Sequence, residues 1–145
     1  MQVVSRRGVV PSLAPERHAP HGAHVHRILL VEDSSDLREA MGAVLTTEGY
    51  EVDIARDGDE ALSRLRAGPR PCMILLDLFM PVMDGRQFRA EQRSDPALAR
   101  IPVIVVSADD KLAEAARTLG VAHWLTKPVD LNALLALPAR CCDAV

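Results

Sequence analysis

The chain is poor in lysine, aromatics and cysteine, and it has no long apolar run. Of its 17 basic residues only Lys111 and Lys127 are lysines. Aromatics make up 3% of the sequence, so the core must be built mainly from aliphatic side chains. No stretch approaches the roughly 20 apolar residues of a membrane-spanning helix, and no membrane placement is expected. The three cysteines, Cys72, Cys141 and Cys142, form no CxxC pair. They are expected to be reduced thiols of a cytoplasmic protein. The last four residues, Cys142-Asp143-Ala144-Val145, have the length of a prenylation box but an acidic residue where an aliphatic one is needed. A basic surface is missing too. Residues 1–26 carry three Arg and one Glu, or +2, which leaves 14 Lys+Arg against 19 Asp+Glu, or −5, for residues 27–145. An acidic body argues against nucleic acid as a direct partner.

The 145 residues have room for one domain with a proper core. Residues 1–25 are expected to be a disordered extension. Ser5-Arg6-Arg7-Gly8 hints at a twin-arginine export signal, but Pro11, Pro15, Glu16, Arg17 and Pro20 stand where its apolar segment belongs. His18, His21, His24 and His26 form a loose cluster that reads as a solvated tail rather than a metal site.

From Arg27 onward, apolar runs alternate with helical patterns. Strands are expected at 28–31, 51–55, 72–76, 102–106 and 122–125. A first helix follows a Ser34 or Ser35 cap, with Leu37, Met41, Val44 and Leu45 inward and Gly49 as its stop. Further helices are expected at 57–67, 86–93 and 109–119, with Asp36, Asp57, Asp109 and Asp130 as caps. Phe88 is the apolar anchor of the third. A last short helix begins at Asp130 and is ended or kinked by Pro138. Repeated strand–helix units imply a parallel sheet covered on both faces. Ligands of such sheets bind at the carboxyl ends of the strands.

Polar residues stand at those ends. Glu32 and Asp33 follow the first strand, Asp77 the third, Ser107 the fourth, and Thr126, Lys127 and Pro128 the fifth. Each alone reads as a cap or turn residue. Together they place three carboxylates, a hydroxyl and an ammonium on one rim. Carboxylates so clustered repel unless a cation joins them, and an oxygen donor set suits Mg²⁺. Lysine is so rare here that Lys127 reads as a chosen point charge.

The pieces ILLVEDS with Glu32 and Asp33, LLDLFMPVMDG with Asp77, VIVVSA with Ser107, and WLTKP with Lys127 and Pro128 resemble the receiver domain of two-component response regulators. The resemblance runs from Arg27 to about Leu137. It implies a flavodoxin-like (βα)5 doubly wound parallel sheet of order 2-1-3-4-5. It implies that Asp77 is the phosphoacceptor, taking a phosphoryl group from a histidine kinase or a histidine phosphotransfer protein. Mg²⁺ would be held by Glu32, Asp33, Asp77 and the backbone carbonyl of Phe79. Ser107 and Lys127 would contact phosphoryl oxygens, and the Lys127–Pro128 peptide would be cis. Trp124 would be the switch aromatic. Asp84-Gly85 reads as a tight turn, with Gly85 permitting an unusual backbone angle. The domain is expected over 26–138, with 139–145 a tail too short for an output domain. Such a stand-alone receiver would act on a downstream protein target, and a homodimer through helix four, strand five and helix five is possible on this reading. Two alternatives remain. One is a degenerate receiver acting only as a binding module. The other is an aspartate-nucleophile phosphatase, which would want a carboxylate where Phe79 stands.

Overall fold

The structure, a computed structural model, describes residues 26–142. The expected extension over 1–25, with its arginine pair and first three histidines, lies outside the described residues, as do the last three positions of the prenylation-length tail. The strands are β1 (Arg27–Val31), β2 (Glu51–Ala55), β3 (Met73–Asp77), β4 (Val103–Ser107) and β5 (His123–Thr126). The helices are α1 (Ser35–Thr47), α2 (Gly58–Ala67), α3 (Gly85–Ser94), α4 (Leu112–Leu119) and α5 (Leu131–Cys141). The five strands pair in parallel in the order β2-β1-β3-β4-β5, the doubly wound order expected. Among the described residues, no helix is long and apolar enough to cross a membrane.

Alternation along the strands separates two cores. Leu29, Val31, Ile74, Leu76, Val103 and Val105 face α2, α3 and α4 with Phe88. Ile28, Leu30, Met73, Leu75, Ile104 and Val106 face α1 and α5. Strands buried on both faces read as continuous apolar runs, which is why β3 and β4 are so uniform. Ser34, Asp57 and Asp130 accept backbone N–H groups as N-caps, and Asp84 forms a full capping box with Gln87.

Several expectations need correction. Asp36 lies inside the first turn of α1, and Asp109 accepts the Lys111 N–H ahead of a helix that starts only at Leu112. β3 and β4 run one residue further than their apolar patterns, so Asp77 and Ser107 are the last residues of strands. Pro138 does not end α5. It lies within the helix, which continues to Cys141 because Leu134, Leu137, Pro138 and Cys141 all bury on one face. Proline removes one backbone donor, but the apolar stripe outweighs that loss. Cys72 and Cys142 are not free thiols: they are joined as a disulfide, and Cys141 alone stays reduced. Their separation of 70 residues hides the pairing from any local pattern. His26 is buried, not part of a solvated tail.

Candidate phosphoacceptor site

β1, β3 and β5 deliver the charged groups to one rim. Glu32 follows β1 directly, and its backbone N–H donates to Ala55 of β2 (3.0 Å), so the chain stays in sheet geometry up to the carboxylate. Arg38, one turn into α1, donates to the Glu32 carbonyl at 2.8 Å and fixes the bend. One carboxylate oxygen from each of Glu32, Asp33 and Asp77 lies within 4.8 Å of the others. Glu32 and Asp77 are buried and Asp33 is exposed. Lys127 reaches in from the end of β5, its Nζ 3.2 Å from Glu32 Oε1 and 3.4 Å from Asp77 Oδ2. Its backbone N–H donates to the Ser107 carbonyl at 2.9 Å, and the Lys127–Pro128 peptide is cis.

One ammonium does not balance three carboxylates. Burial first, and then the negative charge of Glu32, push the Asp77 carboxyl up to about 7, while Lys127 and the Phe79 N–H pull the other way. Hard oxygen donors, crowded like charge and a partly open side at Asp33 fit a divalent cation such as Mg²⁺. The Phe79 N–H donates to Asp77 Oδ1 at 3.2 Å, and the Phe79 ring projects into solvent, 58% exposed.

Ser107 ends β4 one residue beyond Val106, the register partner of Asp77. It is fully buried, and its hydroxyl oxygen accepts the Asp109 N–H at 3.1 Å rather than meeting the carboxylates. Trp124 pairs with Val105, which puts it on the α4 side of the sheet at the edge strand, 39% exposed.

The loop after β3 corrects the reading of Gly85. Gly85 is the first residue of α3 and has no positive φ. Its role is close approach: a Cβ there would sit 2.5 Å from the Asp77 carbonyl oxygen. The unusual angle belongs to Val82, at φ 68, where Met83 N–H donates to Pro81 across a three-residue turn (2.7 Å). The Met83 carbonyl then accepts the Gly58 N–H at 2.9 Å and ties the loop to α2. Neither Arg38 nor this tie was visible in the sequence, because nothing local marks either contact.

A profile for the response regulator receiver domain matches residues 28–138. The chain belongs to that family. Response regulator MprA of Mycolicibacterium vanbaalenii is 38% identical over 112 residues, covering 76% of this chain and 47% of that protein. Response regulator PleD of Caulobacter vibrioides is 40% identical over 106 residues, covering 72% of this chain and 23% of that protein. The chain therefore spans about half the length of the first relative and about a quarter of the second. Among solved structures, the chemotaxis protein CheY4 of Vibrio cholerae superposes with a TM-score of 0.74 at 29% identity, covering 81% of this chain and 99% of that one. The Mn²⁺-bound form of response regulator Rcp1 gives 0.71 at 34% identity, covering 83% and 96%.

Proposed function

We propose that Asp77 accepts a phosphoryl group from the phosphohistidine of a sensor kinase or histidine phosphotransfer protein, and that the resulting acyl phosphate signals through protein contacts in the cytoplasm. The observation that carries this reading is the convergence of Glu32, Asp33, Asp77 and Lys127 at one rim of a rigid sheet. An ionised Asp77 oxygen attacks phosphorus in line with the leaving imidazole. The P–N bond breaks, and its electron pair returns to the donor ring. Lys127 is placed to meet the charge on the transferring oxygens. The Ser107 hydroxyl, now bonded to Asp109, would turn to a phosphoryl oxygen and draw the β4–α4 loop with it. Glu32, Asp33, Asp77 and the Phe79 carbonyl would hold Mg²⁺, whose charge favours ionised carboxylates and offsets that on the phosphoryl group. The test is acyl-phosphate formation from acetyl phosphate and Mg²⁺ by the wild type and by Asp77→Asn. A chain used only for binding would gain no phosphoryl group, and a phosphatase would turn over a generic phosphate ester.

Phe79 sets a second expectation. A large apolar side chain two residues after Asp77 would impede attacking water. Phe79→Asn should shorten the phosphoryl lifetime roughly three- to tenfold, about 0.7–1.4 kcal/mol of barrier. Decay of isolated acyl phosphate in the two proteins measures it, and equal lifetimes would remove the ring from the mechanism.

Trp124 borders the α4–β5–α5 face, which we assign to downstream partners and to a homodimer of the phosphorylated form. As the sole tryptophan it reports on that face directly. Its emission should change on adding Mg²⁺ with a phosphoryl mimic, and an unchanged spectrum would count against movement there.

A further inference from the structure

A second cluster of metal-ligating side chains stands at the opposite end of the sheet. His26 immediately precedes β1, Cys72 immediately precedes β3, and Cys142 directly follows α5. One donor atom from each lies within 4.8 Å of the other two. Two of the three are set by the sheet itself. β1 and β3 are paired neighbours, with Ile28 opposite Met73, so the residues that lead into them also meet. The Cys72 N–H donates to the Arg27 carbonyl at 2.7 Å, and the His26 carbonyl accepts the Glu51 N–H at 3.0 Å. The third donor arrives because α5 runs through Pro138, and the Cys142 N–H closes the last turn on the Pro138 carbonyl (2.7 Å). His26 and Cys142 are 5% and 4% exposed, while Cys72 is half-buried and leaves a way in. The His26 ring is held at a 43° tilt to Tyr50, 6.2 Å between centroids.

We propose that, once the Cys72–Cys142 bond is reduced, His26, Cys72 and Cys142 bind a thiophilic divalent cation of the Zn²⁺ type. The donor set decides the class. Two thiolates and an imidazole suit zinc, whereas the all-oxygen cluster at the other rim suits a hard ion. Zinc–donor bonds of about 2.0–2.3 Å in tetrahedral geometry place ligand atoms roughly 3.3–3.8 Å apart, inside the present envelope. The Cα atoms of Cys72 and Cys142 are 5.2 Å apart, so the sulfurs can part to that distance by side-chain rotation. The open side at Cys72 admits water as fourth ligand. The chemistry balances: two equivalents of a low-molecular-weight thiol reduce the disulfide to two thiols and become a disulfide themselves. The cation then displaces two protons from those thiols. Cys141 belongs to the α5 core and stands outside the set.

Co²⁺ serves as the spectroscopic probe, with the full chain reduced by a phosphine and excess Mg²⁺ present to fill the carboxylate site. Reduced wild type should bind one Co²⁺ with thiolate-to-cobalt charge transfer and tetrahedral ligand-field bands, and Zn²⁺ should erase both. Oxygen ligands and histidines give no sulfur band. Cys72→Ser and Cys142→Ser should each abolish the charge-transfer band. His26→Gln should weaken Co²⁺ binding at least about tenfold. Cys141→Ser should leave the spectrum unchanged. The proposal is overturned if folded, reduced wild type shows no such band, if the band survives undiminished in either Cys72→Ser or Cys142→Ser, or if it depends on Cys141.

Discussion

Asp77→Asn should lower phosphoryl incorporation to background, about a hundredfold or more, because the amide offers no anionic oxygen to attack phosphorus. Intact-protein mass after acetyl phosphate and Mg²⁺ reads the result, and an equal gain in the variant would move the acceptor elsewhere. The same substitution should strengthen the metal-free fold at alkaline pH. In the folded chain the Asp77 carboxyl sits at about 7, against 3.8 for an ordinary aspartate. Between those values the native state keeps a proton that the unfolded chain has released. Stability therefore falls as pH rises through this window, and the full penalty is present above it. At about 1.4 kcal/mol per pH unit the full penalty is on the order of 4 kcal/mol. Asparagine is neutral throughout and leaves Lys127 paired with Glu32. In chelator, the variant should gain roughly that much over wild type at pH 8, and the gain should vanish towards pH 4. Urea midpoints at the two pH values measure this, and a wild type no less stable at pH 8 would show that the cluster is not strained.

Gly85→Ala carries the second large effect. Gly85 opens α3 without a positive φ, so helix propensity alone would favour alanine by about 1 kcal/mol. Sterics reverse the sign. The new methyl would lie 2.5 Å from the Asp77 carbonyl oxygen and 2.9 Å from Leu78 Cα, both backbone atoms that cannot rotate away. Overpacking of this kind costs about 1–3 kcal/mol, and this contact belongs at the upper end. A net loss of about 2 kcal/mol or more is expected, with a drop of several degrees in Tm. The clash presses on the Asp77 peptide, so on the proposed function phosphoryl acceptance should fall as well. Gly42 provides the contrast: a Cβ there meets nothing within 4 Å, and Gly42→Ala should stabilise by about 0.5–1 kcal/mol. Equal melting of Gly85→Ala and wild type would show that the Asp77–Leu78 backbone has room to give.

Most of the architecture was legible because apolar runs buried on both faces are unambiguous strands, as at Met73–Asp77 and Val103–Ser107. The errors fall where burial and hydrogen bonding part company. A polar residue breaks an apolar pattern, yet the backbone ladder includes it, so Asp77 and Ser107 came out one residue late. Pro138 signals a helix end by its missing N–H, yet the burial of Leu137 and Cys141 carries α5 past it. The carboxylates and Lys127 were legible because parallel strands all deliver their ends to the same rim. The disulfide was not, since its partners are neighbours only after β1 and β3 pair and α5 docks. Nor was the role of Gly85, which is set by an approach between chain segments rather than by its own torsions.

The covalent bridge also draws a boundary through the acid cluster. Asp77, Ser107 and Lys127 fall within the ring closed by Cys72 and Cys142, whereas Glu32 and Asp33 follow β1, outside it. Tension applied to the two termini would peel away the outer segment while the ring withheld its 70 residues, about 250 Å of contour, from extension. Asp77 and Lys127 would stay on one tethered piece, and mechanical load would strip two of the three carboxylates first.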